Sequence, residues 1–535
     1  MEDPAAAGFT EIATSAAGVE LAARAADRGL LEIAIGGRAL AAGERVDVVY
    51  GAGAAGALVD RFAERAAPIH FAVDGDGDGV RSFLAEPPLV DVAAGPAARL
   101  VATLPSTARP GDPVVLRVAA LDAHANAGAA LAGAVALEVE GPLAVPAELA
   151  LAEGGVAAVE GRATGAGVAR VRARGPEGLV AESNPLRVEE GVPRVLWADL
   201  HGHSHLSDGT GTPEDYLRYA RDVAGLDAVA LTDHDHWGTP FLDESPALWS
   251  RIVAATAAFH APGRFVTLLG YEWTSWLHGH RHVLWFADAG RIRSSLDEAT
   301  DDPAELWASL RGEPALTFAH HSAGGPVATN WDFAPDPVLE PVTEIVSVHG
   351  SSEAADAPLS IYAPVPGNYA RDALARGYRL GFIGSGDSHD GHPGLAHLAS
   401  PSGGGLAALY AEERTREGVR AALSARRCYA TNGPRILLEA YLGTRPMGAA
   451  VPPGDAALRV RVTAPQPLAR VELVRGGEVS VLQAFPPEEA SREALVGARA
   501  EGLRAGEALY VRVVQADDGA AWSSPWFVDA GVRAR

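Results

Sequence analysis

Val195-Leu196-Trp197-Ala198 runs straight into Asp199-Leu200-His201-Gly202-His203-Ser204-His205-Leu206-Ser207-Asp208-Gly209. A four-residue apolar run has the length of a buried strand, and the imidazoles begin where it stops. In an extended segment residues two apart face the same side, so His201 and His203 can present nitrogens to one cation, with Asp208 beyond on the turn. The arrangement recurs. Ala228 to Leu231 ends in Thr232-Asp233-His234-Asp235-His236, and Phe265 to Leu269 ends in Gly270-Tyr271-Glu272-Trp273, with His282 following. Leu316 to Ala319 ends in His320-His321, Ile345 to Val348 in His349, and Leu380 to Ile383 in Gly384-Ser385-Gly386-Asp387-Ser388-His389-Asp390. Helical patterns separate these runs; one opens at Thr212-Pro213-Glu214-Asp215, with Thr as cap, Pro at the first helical position and acids in the first turn. Short buried strands alternating with helices predict an α/β parallel sheet or barrel over residues 193–435, whose strand carboxyl ends meet on one face. Of 17 histidines, 15 fall between His201 and His397, so a single site is expected there.

Outward from this region the texture changes. Before residue 190 the chain shows short alternating stretches such as Leu31 to Ile35, Val46 to Tyr50 and Val114 to Leu121, bounded by Gly, Pro and Asp. That is a strand-and-turn signature, and it predicts a small β domain over 1–95 and an immunoglobulin-like β-sandwich over 96–190. Leu458 to Val462, Val471 to Val474 and Leu509 to Val514 alternate again, which predicts a C-terminal β-sandwich over 436–535. The acidic run Asp74 to Gly79 reads either as a calcium loop or as a solvated turn.

The chain of 535 residues contains 44 basic residues, all of them arginine. With no lysine there is no Walker-type phosphate loop and no Schiff-base chemistry. One cysteine, Cys428, excludes an intrachain disulfide and a cysteine-built zinc site, and reads as a buried small hydrophobe. A net charge of -24 argues against nucleic acid or an anionic membrane as partner. The start, Met1-Glu2-Asp3, lacks a basic and then apolar leader, and no long apolar run occurs, which predicts a cytoplasmic protein.

Asp199 to Gly209, Leu231 to Asp235 and Asp387 to His389 resemble the signature motifs of the PHP (polymerase and histidinol phosphatase) superfamily of metal-dependent phosphoesterases. Gly279-His280-Arg281-His282-Val283-Leu284, Arg427 to Gly433 and Ala521-Trp522-Ser523-Ser524-Pro525 are similar to the CehA/McbA metallohydrolases within it. The resemblance implies a distorted (β/α)7 barrel holding two or three divalent ions. It implies His201, His203, Glu272 and Asp387 as ligands of the first ion and Asp208, His234 and His389 as ligands of a third. Glu272 would bridge to a second ion, completed by two imidazoles from among His282, His320 and His349. Nitrogen and oxygen donors suit Mn, Zn or Fe.

Closely held ions acidify a shared water and neutralise charge built up during attack, so no nucleophilic side chain is needed. The expected activity is hydrolysis of a small-molecule phosphate ester. The alternatives are a carboxylic, carbamate or other aryl ester hydrolase at the same site, and a noncatalytic binding module. Arg281 reads as a clamp for a phosphate oxygen or as a surface ion pair. His321 reads as a general acid, unless strand alternation turns its ring away. Trp237, Trp273 and Trp276 read as walls of an aryl pocket or as packing, and His205, His236, His278, His392 and His397 as supporting or surface residues.

Overall fold

The computed structural model describes residues 1–27, 29–152, 154–400 and 403–533. The chain divides into two compact units, Met1–Arg61 and Phe62–Arg535. The first contains two antiparallel ladders, Thr10–Thr14 with Val46–Tyr50 and Glu20–Asp27 with Leu30–Gly36.

Within the second unit, residues 99–188 form two facing sheets. One runs Leu143–Ala144, Val156–Ala163, Pro113–Leu121, Arg99–Thr103; the other is led by Leu186–Val188, Gly167–Arg174 and Ala134–Glu140. Alternate residues such as Leu116, Val118, Val135 and Val171 are buried between them, as the period of two requires. In the Asp74–Gly79 run the Asp74 carboxylate accepts from the Gly77 and Gly79 N–H groups, closing an exposed turn.

Among the described residues the histidine-rich region supplies β1 (Val195–Asp199), β2 (Ala228–Leu231), β3 (Val266–Trp273), β4 (Arg281–Trp285), β5 (Ala315–Ala319), β6 (Val342–Ser347), β7 (Gly381–Gly384), β8 (Leu406–Tyr410) and β9 (Cys428–Thr431), with the two-residue strand Gly350–Ser351 folded back on β6. Apart from Tyr410 at the end of β8, every residue in them is buried, which is why they read as continuous apolar runs. β1, β2 and β3 pair in parallel. β4 then turns back antiparallel on β3 and β5 antiparallel on β4, while β8 and β9 add antiparallel beside β1. β6 and β7 pair in parallel in a separate three-stranded sheet.

The fold is therefore β-rich and multi-part, and a closed seven-fold β/α repeat is not drawn by its hydrogen bonds. Among the described residues there are five α-helices, α1 (Pro213–Arg218), α2 (Pro246–Phe259), α3 (Pro303–Leu310), α4 (Ala370–Ala375) and α5 (Arg416–Ser424). α1 starts as read, the Thr212 side chain accepting from the N–H three residues on, and Asp302 and Thr415 cap α3 and α5 in the same way. The connections 320–341 and 385–400 are rich in Gly, Pro, Ser and Asp and fold as turns and coil apart from one 3-10 turn at Ala396–Leu398.

The β8–β9 edge is extended by C-terminal strands, Tyr429 pairing with Ser523 and Thr431 with Ala521. A second C-terminal sheet joins Leu437–Leu442, Gly454–Thr463 and Glu493–Leu503. Among the described residues no helix is long and apolar enough to cross a membrane.

Candidate metal centre

The ends of β1, β2, β3, β5, β6 and β7 bring the ligand-type residues to one place. His201 and His203 leave β1 on the same side, their Nε2 atoms 3.2 Å apart. His201 Nε2 lies 3.3 Å from Glu272 Oε2 and 3.0 Å from Asp387 Oδ1, and His203 Nε2 lies 3.3 and 3.4 Å from the same two oxygens. Donors about 2.0–2.1 Å from a tetrahedral cation stand about 3.3 Å from one another, so this quartet has the spacing of a coordination shell.

Glu272 is the hub. It sits at the end of β3, beside His234 at the end of β2 through a parallel bridge and opposite His282 on β4. Its Oε1 is 2.6 Å from His280 Nδ1 and 2.8 Å from His320 Nε2, and its Oε2 is 4.0 Å from His282 Nε2. A third cluster lies towards solvent: Asp208 Oδ1 is 3.6 Å from His234 Nε2, and Asp208 Oδ2 is 3.4 Å from His389 Nε2. His349 meets Asp387 Oδ2 at 3.0 Å and stands apart from Glu272. The groups His201–Glu272–His282–His320 and His203–Asp208–His234–His389 each gather their donor atoms within 4.8 Å, and either could hold a metal ion.

Buried polar atoms without a hydrogen bond test whether a cation fits. Glu272 Oε2, Asp387 Oδ1, His280 Nε2, both ring nitrogens of His282, His320 Nδ1 and His321 Nδ1 are all of this kind. Such atoms are costly to leave unsatisfied, and here they converge. Burial would raise the Glu272 pKa, yet the imidazoles of His234, His320, His280 and His282 hold it well below the usual carboxylate range. Asp387 is held down in the same way by His201 and His349. Burial pushes His234 down to about 3 and holds His282 and His320 low, whereas against burial the carboxylates of Asp387 and Glu272 push His203 up to about 10 and those of Asp387 and Glu344 hold His201 well above its usual value. Carboxylates and imidazoles are the donors a divalent cation takes, and a bound cation would displace the protons that the carboxylates draw onto His201 and His203.

Further groups hold the ligands in place. Glu344 Oε2 lies 3.1 Å from His201 Nδ1, behind the face His201 presents to the centre. Asp233 accepts from Ser204 N–H and from the Ser204 and Ser207 hydroxyls, pinning the loop that carries His203 and Asp208. Asp199 accepts from the Gly386 and Gly394 N–H groups, and burial pushes its pKa up to about 7. A Cβ at Gly386 would stand 2.4 Å from that carboxylate, so only glycine passes there. Asp387 and His321 have φ of 53° and 32°, left-handed conformations that local packing must enforce.

Three expectations are corrected. Arg281 is fully buried on the face of β4 opposite His280 and His282, its Nε 3.2 Å from Glu340 and its guanidinium over Trp307, so it clamps no substrate. His321 follows the end of β5, where alternation no longer applies, and its ring lies on the site side 5.3 Å from His280. Burial, with the imidazoles of His320, His280 and His349 around it, holds that ring well below its usual pKa. Trp273 is buried and donates to Thr300, whereas Trp237 and Trp276 stack at 5.0 Å beside His234 and His280, both exposed. His280 was the residue missed. Its signal was present, since His280-x-His282 repeats the spacing of His201-x-His203.

The family described as a protein of unknown function, DUF3604, matches the chain over residues 231–360 and 395–457. An uncharacterized protein of Chlamydia pneumoniae is 30% identical over 371 residues, which cover 64% of this chain and 58% of that relative. An uncharacterized protein of Chlamydia trachomatis is 26% identical over 364 residues, 63% of this chain and 57% of the relative. The chain thus spans less than two thirds of the relatives it matches. A solved two-domain protein from Bacteroides vulgatus, said to contain a predicted PHP-like metal-dependent phosphoesterase, is 16% identical, with a TM-score of 0.35 over 62% of this chain and 95% of that one.

Proposed function

We propose that this chain is a metal-dependent hydrolase of phosphate esters, with residues 193–435 as a PHP-type barrel and β domains over 1–95, 96–190 and 436–535. The observation that carries the reading is the gathering of buried imidazoles around Glu272 and Asp387, each of which keeps one carboxylate oxygen without a hydrogen bond. In this reading His201, His203, Glu272 and Asp387 hold one ion, and Glu272 with His280 and His320 holds a second, with His282 behind them. Asp208, His234 and His389 hold a third, and His349 steadies Asp387. Manganese, zinc and iron all suit these donors. Bound ions would acidify water and offset the charge that develops on the attacked ester.

The chain's own residues do the rest. Glu344 fixes the His201 ring so that Nε2 faces the centre. Asp233 keeps the His203–Asp208 loop closed on it. The exposed Trp237–Trp276 stack offers a flat apolar wall at the mouth. That wall, together with Arg281 being turned away, favours a second reading, a carboxylic or carbamate aryl ester as substrate.

Elemental analysis after reconstitution with Mn or Zn should find at least two ions per chain. A panel of phosphomonoesters, phosphodiesters, phosphotriesters and aryl esters, assayed with each metal and with chelator, should reveal a chelator-sensitive hydrolysis. One ion or none, or a panel that stays inert with metal bound, would leave a noncatalytic binding protein.

A further inference from the structure

Tyr362 lies against two imidazoles of the candidate centre, His349 and His321. Its ring is 4.9 Å from that of His349 and 6.1 Å from that of His321, and 37% of the residue is exposed. The loop that carries it is tied down by backbone bonds: Tyr362 N–H donates to His349 O, Gly325 N–H to Ala363 O and Val365 N–H to Ala323 O. Gly324 and Pro364 form a bridge between the two segments. Ala363 takes a φ of 36°, a conformation that these neighbours hold. The Tyr362 ring rests on Gly324, where a Cβ would stand 3.0 Å from its Cε1 and 3.1 Å from its Cζ. No described residue takes a hydrogen bond from its hydroxyl. A phenol placed so firmly beside two imidazoles of the candidate centre, half-exposed and with its O–H taken by no described residue, is free to donate to a bound molecule.

We infer that Tyr362 is a catalytic residue whose hydroxyl donates a hydrogen bond to the departing ester oxygen of the substrate. The inference rests on the hydrolase reading above. In the reaction a water oxygen bonds to the phosphorus or carbonyl carbon, the bond from that atom to the ester oxygen breaks, and the departing oxygen leaves with the electron pair. A donor aimed at that oxygen stabilises the charge it acquires, and it is needed most when the leaving alcohol is a weak acid. Tyr362 keeps its proton in this role; the alcohol takes its own from water.

The test compares wild type and Tyr362→Phe, both reconstituted with Mn or Zn, on phenyl and p-nitrophenyl phosphates and on the corresponding acetates. For phenyl leaving groups kcat should fall about 100-fold, and for p-nitrophenyl within about threefold, because one oriented donor is worth that much only where charge builds up. Metal content should match wild type, and phenylphosphonate, which lacks the ester oxygen, should bind both proteins with equal Kd in calorimetry. Gly324→Ala, which keeps the tyrosine but shifts its phenol, should reproduce the leaving-group dependence and add little to Tyr362→Phe. An active wild type with an unchanged Tyr362→Phe, or a Tyr362→Phe altered only in KM, overturns the role of Tyr362 and leaves the hydrolase reading intact. A metal-loaded wild type inert to the whole series overturns both.

Discussion

Among the described residues the side-chain partners of the Glu272 carboxylate are all imidazoles, and they come from each of the three clusters: His201 and His203, His280 and His320, and His234 at 3.6 Å. Glu272→Gln keeps its shape while removing the charge that draws cations into a buried site. The variant should lose at least one ion per chain and about 100-fold in activity, the upper part of the range for disturbed metal sites. Elemental analysis decides it: an unchanged metal content would remove Glu272 from the hub. His397 offers a test away from the centre. Burial, with Arg99 and Arg435 nearby, pushes its pKa from 6.5 down to about 4. Between those values the unfolded imidazole binds a proton that the folded one refuses, so stability rises with pH in that window and falls as acid is added. His397→Gln should lessen the loss of Tm between pH 6.5 and 4. A variant with the same acid slope as wild type would show that other groups set it.

β4 shows most clearly how alternation decides chemistry. His280 and His282 face the centre, and Arg281 between them faces the core, where Glu340 also accepts from Thr317 and lies 3.3 Å from the Trp307 Nε1. Arg281→Ala should therefore cost about 3–5 kcal/mol of stability by stranding a buried carboxylate, while metal content and KM stay near wild type. Urea unfolding and elemental analysis separate this from a substrate role, which would leave stability untouched and raise KM. The same strand marks how far the sequence can be read. Strand positions were legible where full burial writes itself as an apolar run, as in Ala228 to Leu231, which matches its strand residue for residue; Val46 to Tyr50 also matches its strand, although that strand is largely exposed and was marked by its β-branched residues between turns. The clustering of ligand-type residues was legible because parallel strand ends converge. What could not be read was facing beyond a strand's last residue. His321 and Asp387 depend on left-handed backbone that no local pattern announces. Glu344 carries no signal either, since a lone acid inside an apolar strand looks like any other until His201 is seen beside it. The shortfall in helices has a similar cause, because weakly patterned connections rich in Gly and Pro have little to bury and stay as turns.

Across the second unit the centre is braced by residues far from it in sequence. Glu353, fully buried, receives Arg371 on α4 at 3.0 Å and Arg512 from the C-terminal sheet at 3.0 Å. The Tyr510 hydroxyl and the Trp522 Nε1 donate to the same carboxylate. Arg512 is shared with Glu472, and β9 continues directly into the C-terminal strands. A carboxylate with four donors from two parts of the chain is stable only while both parts stay together, since its burial is repaid by all of them at once. The region carrying the metal centre and the C-terminal β region should then unfold as one. Glu353→Gln keeps the volume and removes the charge, leaving both arginines short of a partner. Each retains a second acid, Asp356 or Glu472, so the loss should fall at the low end for a broken buried pair, about 3 kcal/mol. The measurement is urea unfolding of the metal-loaded protein, followed in parallel by tryptophan fluorescence and by release of the metal to a chromophoric chelator. Both midpoints should move down together. If the fluorescence midpoint falls and metal release stays where it was, the C-terminal sheets come away alone and Glu353 couples nothing.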